Sequence, residues 1–183
     1  MSPPQESSGV PRLVPDEPLP PYTYVPGRSP HPTSDPAGHS FHVSRERPAP
    51  PDPDNWAACR PYQVGIDLFN HGYYWEAHEA WEGLWHAAGR RGPTADFLKG
   101  LIKLAAAGVK AREGRPQGVA RHATRAAELF AGVRAAHGDG GYLGLDLERL
   151  ISNARRLASD PVSPPRSAAP VEIVFDFELV PGL

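Results

Sequence analysis

Proline constrains this chain more than any other residue. It donates no backbone hydrogen bond and breaks helix interiors. Of the 23 prolines, 16 lie at or before Pro61, and between residues 62 and 160 only Pro93 and Pro116 occur. A long helical domain therefore fits the middle of the chain and cannot form at its start. The first sixty residues also lack the regular apolar pattern that a core needs. The division this predicts is a Pro-rich, largely extended or disordered arm over 1–53, a helical domain over 54–160, and a linker with a strand-like tail over 161–183. Residues 1–17 are expected to be disordered.

Charge narrows the choice of partner. The 19 basic and 21 acidic residues are spread so evenly that no segment is basic enough to demand nucleic acid. A single cysteine, Cys59, excludes an internal disulfide and a cysteine-based zinc cage. No apolar run approaches the roughly 20 residues that a bilayer requires, and no leader pattern opens the chain. The expected setting is cytoplasmic, with no membrane partner.

Within the middle segment the apolar residues recur at the helical period. Tyr62, Ile66 and Phe69 mark a first helix over 61–70, closed by Asn70-His71-Gly72. A second over 73–88 carries Tyr74, Ala77, Trp81, Leu84 and Trp85 on one arc. The third, 94–112, is the most apolar, and its Ala105-Ala106-Ala107-Gly108 run predicts close approach by a neighbour's backbone. Pro116 suits the first turn of a fourth helix, 116–137, and a fifth is expected over 145–158. The fold class is thus all-α, a compact five-helix bundle with a central buried helix. In the tail, Ile173, Phe175, Phe177 and Leu179 alternate with polar or smaller residues as in a strand. A lone strand is not stable, so this tail is expected to dock on its own bundle, on residues 22–25 or on a second chain.

The second helix also holds the densest group of reactive side chains. At 100° per residue, His78 and Glu82 fall one turn apart at the rim of the apolar arc, with Trp75 and Glu79 beyond them. The same wheel directs Glu76 to solvent. Aromatic walls lower the local dielectric, which raises a carboxylate's pKa and strengthens a His–carboxylate hydrogen bond. His78, Glu79 and Glu82 are the candidate catalytic residues, with Trp75, Trp81, Lys103 and His71 as candidate ligand contacts. His78 and Glu82, at i and i+4, also suit a divalent transition metal, with His71 or the arm's His31 or His39 completing the set. The second histidine of a His-Glu-x-x-His zinc helix is absent. A satisfied polar pair that orients helices is the plain alternative. Lys99, Lys103 and Lys110 form a stripe on the third helix that reads as a solvated face. Arg115, Arg121, His122 and Arg125 read as an exposed basic face or an anion contact at the start of the fourth.

The run Leu68-Phe69-Asn70-His71-Gly72-Tyr73-Tyr74-Trp75-Glu76-Ala77-His78-Glu79-Ala80-Trp81-Glu82, followed by Phe97-Leu98-Lys99-Gly100-Leu101-Ile102-Lys103-Leu104-Ala105-Ala106, closely resembles the small prokaryotic helical family catalogued as domain of unknown function 309. The resemblance spans about residues 60–157. It implies an all-α bundle around one central helix and implies no activity. Lys99 stands where that family often has Gln before Gly-Leu-Ile.

Two functional classes fit these residues. One is a His/Glu polar pocket doing metal-assisted or acid–base hydrolysis on a small molecule. The other is a helical-hairpin scaffold that holds an extended peptide or a partner protein, suggested by the loose repeat of helix, glycine turn and helix. Nucleic-acid binding ranks last, because charge excess and an aromatic platform are both lacking.

Overall fold

The structure, a computed structural model, describes residues 11–43, 48–164 and 167–182. Five helices make the bundle: α1 (Arg60–Asn70), α2 (Tyr74–Ala87), α3 (Pro93–Arg112), α4 (Pro116–His137) and α5 (Leu147–Ser159). Pro93 and Pro116 each open a helix, where the missing amide would have had no partner. The central helix is α3, which packs on α2 along one side and on α4 along the other, while α1 and α5 flank the pair. Phe97, Leu98, Leu101 and Leu104 on α3 are fully buried against Trp81, Phe130 and Ile151.

Close contact with α3 is made by rings rather than by a neighbour's backbone. A Cβ on Gly108 would stand 2.4 Å from the Tyr74 ring, and one on Gly100 would stand 2.5 Å from the Phe130 ring. Gly100 and Gly108 are therefore seats for aromatic side chains, which corrects the expectation of a neighbour's backbone at Gly108.

Helix α5 starts two residues later than its apolar period suggests. Gly141–Tyr142 and Leu145–Asp146 form a short antiparallel hairpin, β1 and β2, and Asp146 caps α5 by accepting from Arg149 N at 2.9 Å. Leu145 is thus a strand residue whose side chain joins the same core.

The tail is docked on the bundle, but it is not a strand. Val171, Phe175 and Leu179 are buried at a spacing of four, whereas Ile173 is 43% exposed and Phe177 is half-buried. Instead of a ladder, side chains of the bundle hold the tail's backbone. Tyr74 Oη accepts from Val174 N at 3.0 Å. Asn70 accepts from Leu179 N at 2.8 Å and donates to Leu179 O at 2.9 Å. With no strand partner among the described residues to impose a two-residue period, the anchors decide which apolar groups turn inward. Gly72, at φ +85°, lets the tail cross the α1–α2 turn, since a Cβ there would meet Glu172 O at 2.7 Å.

The arm is bound in a similar way. Both oxygens of Asp67 accept from consecutive amides, Leu13 N and Val14 N, at 2.8 Å each. Val14 and Val25 are buried, so the expected disorder of residues 1–17 does not extend to residues 11–17; residues 1–10 lie outside the described residues. Among the described residues, no helix is long and apolar enough to cross a membrane.

Candidate functional site

Helix α2 presents two polar faces with different work. The first centres on Glu76, which is buried at 3% exposure rather than facing solvent. Thr23 Oγ1 donates to it at 2.6 Å, Tyr24 N at 2.9 Å and His39 Nε2 lies at 3.1 Å. The arm folds over this face and supplies the partners that a buried carboxylate requires. Asp67, Asn70, Tyr74 and Glu76 are therefore backbone anchors. Sequence reasoning did not find that role, and the only local signal was a charged residue set inside an apolar run, as Asp67 is between Ile66 and Leu68.

The second face carries His78, Glu79 and Glu82. Each offers a ligand atom, and these atoms lie within 4.8 Å of one another. His78 Nδ1 is 3.4 Å from Glu79 Oε1. That approach lacks hydrogen-bond alignment, and His78 Nδ1 is shielded from solvent with no hydrogen-bond partner among the described residues. The side chains are 27% and 35% exposed, so the group is open on one side. Glu79 also lines a cavity of about 1510 Å³ between the arm and α1–α2, whose wall includes Leu19, Val64, Leu68 and His86.

The other candidate contacts lie elsewhere. Trp81 is fully buried, and its Nε1 donates to Tyr62 O at 3.4 Å. Trp75 is half-buried under the arm, edge-on to Tyr24 and His31 at 5.4 Å each. His71 caps α1, with Nδ1 2.8 Å from Asp67 O. The arm's His39 is engaged with Glu76. Neither His71 nor an arm histidine joins the group of three among the described residues.

Lys103 does adjoin it. Burial pulls Lys103 below the ordinary lysine value; Lys99, Arg125 and Arg121 act in the same direction, and Glu82 opposes them. Across from it, burial takes His122 down to about 4, and Lys103, Arg121, Lys110 and His78 add to the effect. His122 thus stays an uncharged imidazole below the pH at which an exposed histidine takes up its proton. Lys99 Nζ sits 4.0 Å above the Trp85 ring, a cation–π contact that fixes its position.

Residues 62–122, which include both faces of α2, the whole of α3 and the start of α4, match the family model described as a domain of unknown function (DUF309). No curated protein matches the chain.

Proposed function

We propose a function from the residues themselves, since the family model that residues 62–122 match describes a domain of unknown function: one divalent transition metal bound by His78, Glu79 and Glu82, serving hydrolysis of a small molecule. The carrying observation is the convergence of one imidazole nitrogen and two carboxylate oxygens within 4.8 Å on a partly exposed helix face. Small rotations of side chains that are only half-buried bring such atoms to the roughly 2.0–2.2 Å bond lengths of a zinc-type site. Three protein ligands leave a position for water, and a metal-bound water ionises near pH 7. The unpartnered His78 Nδ1 supports this reading, since a shielded ring nitrogen without a hydrogen bond is costly unless something binds it. In the acid–base form of the same idea, His78 and Glu79 act alone as base and orienting carboxylate. A cytoplasmic setting agrees with the free thiol of Cys59.

The test is calorimetric titration of zinc into tag-free full-length protein. The expected result is one saturable site that His78→Gln removes while the unfolding midpoint stays close to that of the parent. Absence of a saturable site, or equal binding in the variant, would reject the metal reading.

A second reading, a scaffold for extended chains, is favoured by one observation. Asn70 grips the backbone of Leu179 through both its amide atoms, a contact that recognises extended chain without reference to sequence. In this molecule the chain's own arm and tail occupy those anchors.

A further inference from the structure

A half-buried stripe of α3, with Lys99 and Lys103 one turn apart, lies beside α4, whose Gly118 packs on the Lys110 stem, and cations from the two helices come together there. Lys99 and Lys103 come from α3, and Arg121 and Arg125 from α4, with the ring of His122 beside them. Some cations of the bundle hold a carboxylate: Lys110 pairs with Glu113 at 2.8 Å, Arg125 with Glu128 at 2.7 Å and Arg156 with Asp176 at 2.7 Å. Lys99, Lys103 and Arg121 have no ion pair among the described residues. Glu82 is the acidic group whose field reaches Lys103, and the field of His78 reaches His122. The unpaired cations thus border the His78, Glu79 and Glu82 group.

We propose that Lys99, Lys103, Arg121 and His122 form a binding site for the phosphoryl group of a small anionic substrate, placed beside His78, Glu79 and Glu82. A phosphoryl group offers three acceptor oxygens and up to two negative charges, which suits two ammonium groups and one guanidinium better than a single carboxylate does. Crowding of like charge around the half-buried Lys103 is relieved when an anion enters, so the protein is electrostatically prepared for one. His122, uncharged at neutral pH, adds a ring N–H donor without adding repulsion. The Trp85 ring holds Lys99 in place at the edge of the site. Nucleic acid fits less well, because the cations form one short cluster in a chain of net charge −2. That the bound anion is a substrate rests on the proposed metal site; the anion site itself does not.

The experiment is a titration of inorganic phosphate into EDTA-treated full-length protein, followed by amide chemical shifts at constant ionic strength. Saturable shifts on α3 and α4 are expected, with affinity lowered about tenfold or more by Lys103→Met and by Arg121→Ala, each a loss of one charge-assisted contact. Arg149→Ala, an exposed cation on α5, should leave phosphate affinity unchanged. Absence of saturation, or equal losses in the Lys103 and Arg149 variants, overturns the proposal. So does a single-stranded oligonucleotide that binds where phosphate alone does not. Phosphate binding retained while zinc binding fails would sink the metal reading alone, and the reverse would sink this one alone.

Discussion

At the scale of single residues, the local environment decides what each titratable group can do. His122 is half-buried next to Lys103, Lys110, Arg121 and His78, and its pKa falls from 6.5 to about 4. The unfolded chain takes up this proton near 6.5 and the folded chain only near about 4, so between those values the unfolded state binds more protons. The contribution is fully present above about 6.5 and is lost as pH falls towards about 4. Urea unfolding at pH 7 and pH 5 should show a drop in stability that His122→Gln reduces; equal drops in the two proteins would contradict the burial argument. Residues of this kind are only partly legible in a sequence. His78, Glu79 and Glu82 are close because the helical period makes them so, and that is visible from spacing. Glu76 was not legible, because its partner Thr23 lies 53 residues away and a wheel describes one helix alone.

At the scale of elements, the helices follow from local pattern and the extensions do not. Apolar period, Pro93 and Pro116 together locate all five helices, since these signals act within a few residues. The two-residue strands of the hairpin are too short to carry a period, which is why the apolar pattern alone starts α5 two residues early. The tail alternates like a strand, yet among the described residues no strand runs beside it, so anchors on α1 and α2 set its register. Asn70 is the strongest of these, with two hydrogen bonds to one residue. Asn70→Ala leaves a buried amide and a buried carbonyl of Leu179 without these partners, which should cost about 1–3 kcal/mol. Hydrogen exchange should then show residues 171–179 losing protection before α3 does. Unchanged protection in the tail would mean that apolar burial of Phe175 and Leu179 suffices.

At the scale of the whole molecule, α1 and α2 divide their polar residues between architecture and chemistry. Asp67, Asn70, Tyr74 and Glu76 hold the arm and tail against one side, while His78, Glu79 and Glu82 converge on the other. The tail contributes Val171, Phe175 and Leu179 to the core cluster, and the arm's buried valines stand outside it. Removing residues 1–53 should therefore leave a cooperative thermal transition. Removing residues 161–183 should lower stability or cause aggregation, because each buried side chain of that size is worth about 1.5–3 kcal/mol. The opposite ranking would show that the arm completes the core. The central claim is that His78, Glu79 and Glu82 hold an ion, and it is tested most directly by elemental analysis of tag-free protein stripped with EDTA, reloaded with zinc and dialysed. The account predicts one equivalent in the parent and in Glu76→Gln, and none in His78→Gln. Zero in the parent, or one equivalent that survives His78→Gln, would contradict it.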